Sequence, residues 1–209
     1  MTQRPKDNSQ QDALLKQAQR RYADSMDLAA AGRMEEACTG LAEAARLFRA
    51  AEDDSGVVQS IHAMGALYLL QDDARQALQL FSEALRVAVA AADREGESQC
   101  RESVGVAHFR LGDYPAAQEQ YARALVLYGD LENYEGAASV MCGIGDCLLE
   151  TQQFALAMDF FGDALELYTS RGDQAGMLEA CMALADGASA VGDGLAAIGY
   201  LQQAQAIDK

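Results

Sequence analysis

Two histidines and five cysteines are the residues of this 209-residue chain best suited to metal binding or nucleophilic catalysis. His62 and His108 are far apart in sequence, and neither has thiol or carboxyl partners at a spacing typical of zinc sites. Cys142 and Cys147 lack the i, i+3 or i, i+4 spacing that would place them on one helix face, and no base stands near either. We therefore expect no catalytic residues, no metal and no cofactor, and predict that the protein is not an enzyme.

The glycines and acidic pairs give no better support for catalysis. The glycines recur at long intervals and do not form a phosphate-binding GxGxxG or GxxxxGK[ST] motif. Acidic pairs such as Asp53-Asp54 and Asp72-Asp73 stand where turns are expected, so they indicate helix caps and solvation. These residues therefore favour a binding surface over a catalytic site, and the helices predicted below position that surface.

Composition and charge indicate an all-α protein with a protein partner. Half of the residues are hydrophobic, only two are proline, and helix-forming Ala, Leu, Gln, Glu and Arg recur throughout. The formal net charge of −16 repels phosphate backbones, which makes nucleic acid and anionic membranes poor partners and favours partners rich in Lys or Arg. The alternative interpretation is that this acidity serves only solubility.

Location is predicted from what the sequence lacks. No apolar run approaches the about 18 residues of a transmembrane helix, and the polar first residues do not resemble a signal peptide. Five cysteines without a CxxC motif indicate reduced and mostly buried thiols. We expect a cytoplasmic protein that does not insert into membranes.

Small and large apolar residues recur every 40 positions along most of the chain. A small residue, a large one four positions later and an alanine three further on lie on one helix face, so neighbouring helices approach closely there. Glycines recur at the same interval at Gly56, Gly96, Gly136 and Gly176, and at Gly65, Gly105 and Gly145. The three face columns are Ala37, Ala77, Ala117, Ala157 and Ala197; Leu41, Phe81, Tyr121, Phe161 and Leu201; and Ala44, Ala84, Ala124, Ala164 and Ala204.

Each repeat is predicted to hold two helices, and the second repeat serves as the example for their bounds. Its first helix runs from about Gly56 to Leu70 and its second from about Ala74 to Ala91, with a short turn between them. Gly32, Gly112 and Gly192 stand where a helix end requires a left-handed residue. The expected N-caps of the first helices are Asp53, Asp93, Asn133 and Asp173.

Together, Gly65, Tyr68, Ala77, Phe81 and Ala84 resemble the signature of the tetratricopeptide repeat, or TPR. The usual period is about 34 residues, so the longer period resembles the subgroup found in LGN-type adaptors and bacterial TPR regulators. This resemblance implies an all-α, TPR-like α-solenoid of about five antiparallel helix pairs that acts as an adaptor or assembly factor. We expect a flexible segment at 1–11 and a single repeat domain at 12–209, with repeats at about 13–52, 53–92, 93–132, 133–172 and 173–209.

In this family the first helices line a concave groove that holds a peptide or a partner helix. The polar groove residues by which chaperone-binding members clamp a carboxylate, and LGN-type members grip a peptide backbone, have no counterpart here. The predicted partner is an apolar, basic or mixed helix or peptide. The resemblance places these residues in the groove: Tyr22, Met26, His62, Leu69, Glu102, Val106, Phe109, Arg110, Cys142, Asp146, Leu149, Met182 and Asp186.

The last helix suggests a second interface. Leu195, Ile198, Tyr200 and Leu201 give it apolar residues on more than one side, and no capping helix follows in this sequence. We expect partner docking or homo-oligomerisation there. Two alternatives to the adaptor role remain open: a bacterial-type TPR sensor whose array changes shape on binding a signalling peptide, and a self-associating scaffold.

Overall fold

The computed structural model describes residues 8–207, with side chains from Ser9 onward. Over these residues it is all-α, with ten helices joined by turns of three residues or fewer. The second repeat confirms the predicted boundaries to within two residues at each helix end. The helices are α1 (Asn8–Ala30), α2 (Met34–Ala50), α3 (Asp54–Leu70), α4 (Ala74–Ala90), α5 (Arg94–Arg110), α6 (Tyr114–Asp130), α7 (Tyr134–Glu150), α8 (Phe154–Arg171), α9 (Gln174–Ala190) and α10 (Gly194–Ile207).

Each turn contains one residue in the left-handed region of φ. The predicted Gly32, Gly112 and Gly192 have φ of 77°, 77° and 80°. The same conformation occurs at Ala92 (φ 54°) and at Glu132 (φ 54°), where the sequence has no glycine and gave no signal. The left-handed residue turns the following N–H back onto the helix it leaves, and this closes the helix end.

The polar residue after the turn starts the next helix. The side chains of Asp53, Asp93, Asn133 and Asp173 each accept a hydrogen bond from the backbone N–H three residues later, which confirms the predicted caps. Asp113 does the same before α6, accepting from Ala116 N. These bonds satisfy N–H groups that the helix itself leaves without partners.

Glycine and aromatic residues interlock between neighbouring helices. A Cβ on Gly65 would stand 2.5 Å from a ring carbon of Phe81, and one on Gly105 would stand 2.6 Å from Tyr121. These distances are too short for any side chain, so in the second, third and fourth repeats the glycine lets the first helix lie directly against an aromatic ring of its own repeat. Gly145 faces Phe161 in the same way.

The chain divides into two compact units, Met1–Cys100 and Arg101–Lys209. The first unit contains two core clusters, one around Phe48, Val57 and Ile61 and the other around Leu41 and Leu67. A single larger cluster around Tyr121 and Phe161 forms the core of the second unit. Of the N-terminal segment expected to be flexible, residues 1–7 lie outside the described residues, whereas 8–11 form the first turn of α1. That the repeats form one domain stays a prediction.

Candidate functional site

The candidate site of the second unit lies on the first helix of each of its pairs. Asp146, on α7, is half-buried, and its pKa rises to about 6 from a usual value near 3.8. Burial is the largest cause, followed by the negative charges of Glu179, Glu150 and Asp186, which disfavour a further charge. Glu179 and Asp186 are exposed on α9, so carboxylates from two helices act on one group. We call Asp146, Glu150, Glu179 and Asp186 the acidic face.

Glu102 is held in place by two hydroxyl groups. Its Oε2 accepts a hydrogen bond from the Tyr128 hydroxyl at 2.5 Å, and its Oε1 accepts one from the Ser139 hydroxyl at 2.6 Å. Of these three residues, only Glu102 was predicted from the sequence. The donors come from α6 and α7, so only the folded repeat brings them to the carboxylate.

The helices of the candidate site, α5, α7 and α9, also carry apolar side chains that are at least partly exposed. Val106, Phe109 and Leu149 are half-buried and pack against the core of the second unit. The Phe109 ring also packs against Tyr114, with ring centroids 5.6 Å apart. Met182 is 53% exposed, so it offers a flexible apolar side chain to solvent.

One predicted groove residue, Cys142, does not fit a contact surface. Cys142 is 4% exposed and belongs to the core, so its thiol does not reach the surface. The resemblance assigned its position from the helix register, but the register does not show how deeply a small side chain is covered. Arg110 is exposed at the end of α5.

In the first unit, Tyr22 and His62 come together around a cavity of about 320 Å³. Val58, Gly96 and Cys100 also line it, with two carboxylates from Asp93 and Glu95. Met26 is 39% exposed and Leu69 is half-buried, and neither lines this cavity. Of the cavity residues on α5, Glu95 and Gln99 were not identified from the sequence, whereas Gly96 was noted only for the repeat period and Cys100 only as one of the buried thiols.

The cysteines and His108 behave as packing residues. Cys100, Cys142, Cys147 and Cys181 are buried, as predicted, and burial raises the pKa of Cys142 and of Cys147 to about 12. At neutral pH these two thiols are therefore protonated and weakly nucleophilic. His108 is half-buried, and its Nδ1 lies 3.6 Å from an Asp113 carboxyl oxygen.

The last helix of the chain exposes apolar side chains. Leu195 is 86% exposed, Ile198 53% and Leu201 54%, whereas Tyr200 is half-buried against the core of the second unit.

In residues 8–207 no group of three His, Cys, Asp or Glu side chains could hold a metal ion. None of the helices described is both long enough and apolar enough to cross a membrane.

A match to a known sequence family covers most of the chain. A family model for the tetratricopeptide repeat matches residues 25–88 and 95–170 of the chain. Among curated proteins, none matches the chain in sequence. The two matched ranges cover more than half of the chain and include four of the five predicted repeats at least in part.

Comparison with solved structures supports the same fold. BtubC from P. vanneervenii is 16% identical, with 95% of this chain and 91% of that chain covered and a TM-score of 0.70. Aspartyl phosphate phosphatase F from Bacillus subtilis is 13% identical, with 96% and 52% covered and a TM-score of 0.81. A Rap protein complexed with Competence and Sporulation Factor is 15% identical, with 90% and 52% covered and a TM-score of 0.77. The last two proteins are thus about twice as long as the part they share with this chain.

Proposed function

Because this chain belongs to the tetratricopeptide repeat family, we propose that it is a non-enzymatic adaptor that binds a basic, partly apolar peptide or helix on the acidic face of its second unit. The family and the fold support a role in protein interaction generally. The choice of partner and of surface rests on the side chains of α7 and α9.

The observation that carries this proposal is that the carboxylates of Glu150, Glu179 and Asp186 surround a half-buried carboxylate, Asp146, whose pKa is raised by burial and by these charges. At neutral pH the group is ionised although burial and three neighbouring carboxylates oppose its charge. In the free protein this arrangement is unfavourable, and a Lys or Arg side chain placed among the four carboxylates would relieve it. Charge arranged against local stability is more typical of a binding site than of a structural one.

The apolar residues beside the acidic face supply the second half of the interface. A peptide that buries Phe109, Leu149 and Met182 gains hydrophobic free energy that charge pairing in water does not provide. An amphipathic helix with apolar residues on one side and basic residues flanking them fits both features. The expected partner segment therefore combines Lys or Arg with two or three large apolar residues.

Selection from an unbiased library of displayed 16-residue peptides tests this proposal. We expect peptides bound by the whole chain to be enriched in Lys and Arg next to Leu, Ile, Phe or Met. We also expect their affinity to fall as salt rises from 50 to 200 mM. Selected peptides without basic residues, or with salt-independent affinity, would contradict the assignment to the acidic face.

A peptide-responsive regulator is the second candidate function. It is favoured by the similarity to a Rap protein that was solved complexed with Competence and Sporulation Factor. A regulator changes conformation on binding, so amide hydrogen exchange would change in helices that the peptide does not touch. For an adaptor we expect protection only in α5, α7 and α9.

Self-association through α10 is the third candidate. Leu195, Ile198 and Leu201 are each more than half exposed, and apolar patches of this kind are often interfaces. Sedimentation velocity over a hundredfold range of protein concentration tests it. A sedimentation coefficient that rises with concentration supports an interface between copies, and a constant monomer value excludes it.

A further inference from the structure

Residues 48, 88, 128 and 168 form a column on the second helices that faces the next helix along the chain. Phe48, Tyr128 and Tyr168 each lay an aromatic ring against the glycine near the start of that helix. A Cβ on Gly136, for example, would stand 2.6 Å from Tyr128 Cε1. Ala88 is the exception, because its methyl group cannot fill the volume of a ring.

The contacts of Tyr128 indicate which residues a ring at position 88 would meet. The Tyr128 ring reaches from Gly136 to Glu102, to which its hydroxyl donates a hydrogen bond. The residues forty positions earlier are Gly96 and His62, and both line the cavity of about 320 Å³ in the first unit. Next to Gly96 the three nearest heavy atoms to a built Cβ belong to Asp93 rather than to a ring. The cavity thus shares Gly96 and His62 with the site that a ring at position 88 would occupy, while Ala88 itself is fully buried and does not line the cavity.

The walls of this cavity combine neutral groups with negative charge. His62 packs against the Phe81 ring, with centroids 5.1 Å apart, and burial lowers the pKa of His62. Its imidazole is therefore neutral at pH 7. Burial raises the pKa of the Cys100 thiol to about 12, so this group is neutral as well. Asp93 and Glu95 supply carboxylates, and none of the described residues lining the cavity is Lys or Arg.

We propose that this cavity binds an aromatic side chain from a partner segment in which a Lys or Arg stands next to the aromatic residue. The ring lies against Gly96 and His62, whose counterparts forty positions later contact an intramolecular tyrosine, and the basic neighbour pairs with Asp93 or Glu95. A volume of this size is at the lower end of ligand pockets and exceeds what one ring requires. The proposal rests on the function proposed above and adds a residue class and a second contact point in the first unit.

Three blocked tripeptides serve as probes for nuclear magnetic resonance titration of the whole chain. The first has tyrosine between two lysines, the second has alanine in place of the tyrosine, and the third has glutamates in place of the lysines. We expect the first to bind with a Kd of about 1 mM, the affinity typical of a fragment of this size, and to shift the amide signals of Gly96 and Gln99. Both other peptides should bind about tenfold more weakly or not at all.

A large side chain introduced on α4 tests whether the cavity is the binding site, and a neighbouring position supplies the control variant. Ala88→Tyr places a ring where the other repeats have one, so we expect it to abolish tripeptide binding and to raise Tm by about 2–4 °C. Val89→Tyr adds the same side chain at the next position of α4, where the native side chain is 49% exposed, and should leave binding unchanged. If circular dichroism shows that Ala88→Tyr does not fold, Ala88→Met fills the same space with a flexible side chain.

The outcomes separate this proposal from the proposed function. Binding that survives in folded Ala88→Tyr or Ala88→Met, or shifts confined to the second unit, would overturn the cavity assignment and leave the acidic face untouched. Equal binding of the tyrosine and alanine tripeptides would also overturn it. Conversely, loss of library-selected peptides in Asp146→Lys with retained tripeptide binding to the first unit supports both sites independently.

Discussion

Phe161→Ala is expected to lower the free energy of unfolding by about 3–5 kcal/mol, which is a large part of the stability of a protein of this size. Phe161 is fully buried, and its ring lies against Gly145 in the neighbouring helix. Gly145 has no side chain to fill the space, and the neighbouring positions of the same helix face, Ala157 and Ala164, carry only methyl groups. Chemical denaturation monitored by circular dichroism measures the effect.

Phe160→Ala is the matched control for this prediction. Phe160 occupies the preceding position of α8 and is only half-buried against the same core. Its loss should reduce the free energy of unfolding by about 1–2 kcal/mol, since part of the ring already faces water. Equal losses for the two variants would show that the glycine–aromatic pairing does not organise the second unit.

Asp146→Asn is expected to stabilise the free protein at pH 7.5 by about 1–2 kcal/mol. The pKa of Asp146 is about 6 in the folded chain and near 3.8 when unfolded, so the folded state binds the proton more tightly. The protonated, neutral form of Asp146 contributes its whole stabilisation of the folded state below pH 3.8. This contribution is lost as pH rises to about 6, at up to about 1.4 kcal/mol per pH unit. Partial solvent exposure reduces the total. The asparagine keeps the shape and removes this loss.

The pH dependence distinguishes this effect from a general change in packing. The groups that act on Asp146 come from its own helix, as Glu150, and from α9, as Glu179 and Asp186. Denaturation of both proteins at pH 4 and pH 7.5 should give a difference that is small at pH 4 and largest at pH 7.5. Asp163→Asn, an exposed position on α8, should change stability by less than about 0.5 kcal/mol at both values. A stabilisation that is equal at pH 4 and 7.5 would refute the electrostatic explanation.

Features that depend on residues close in sequence could be predicted well. The alanine, aromatic and glycine columns predicted the helix pairs, and Asp53 and Asn133 predicted helix starts, because a cap bonds to a backbone group three residues away. The left-handed turn residues Ala92 and Glu132 were not predicted, because a residue with a Cβ disfavours that conformation and its type gives no signal. Only Gly172, in the same column of the 40-residue alignment, marks the position by its type.

Features that depend on several helices were predicted only in part. Asp146 and Asp186 were identified as groove residues, but the contribution of Glu179 to the pKa of Asp146 requires the spacing of α7 and α9. The cavity at His62 is lined mainly by residues of α1, α3 and α5, so only the packed helices show it. The 40-residue alignment does show that Ala88 is the one small residue in a column with Phe48, Tyr128 and Tyr168.

The affinity of a library-selected basic peptide for two double variants tests the central claim most directly. Asp146→Lys with Asp186→Lys reverses charge on the acidic face, whereas Asp159→Lys with Asp163→Lys makes the same change in net charge on exposed positions of α8. We expect the first pair to weaken binding at least about tenfold and the second to change it less than about twofold at 150 mM salt. Equal weakening by both pairs, or none by either, would contradict binding at the acidic face.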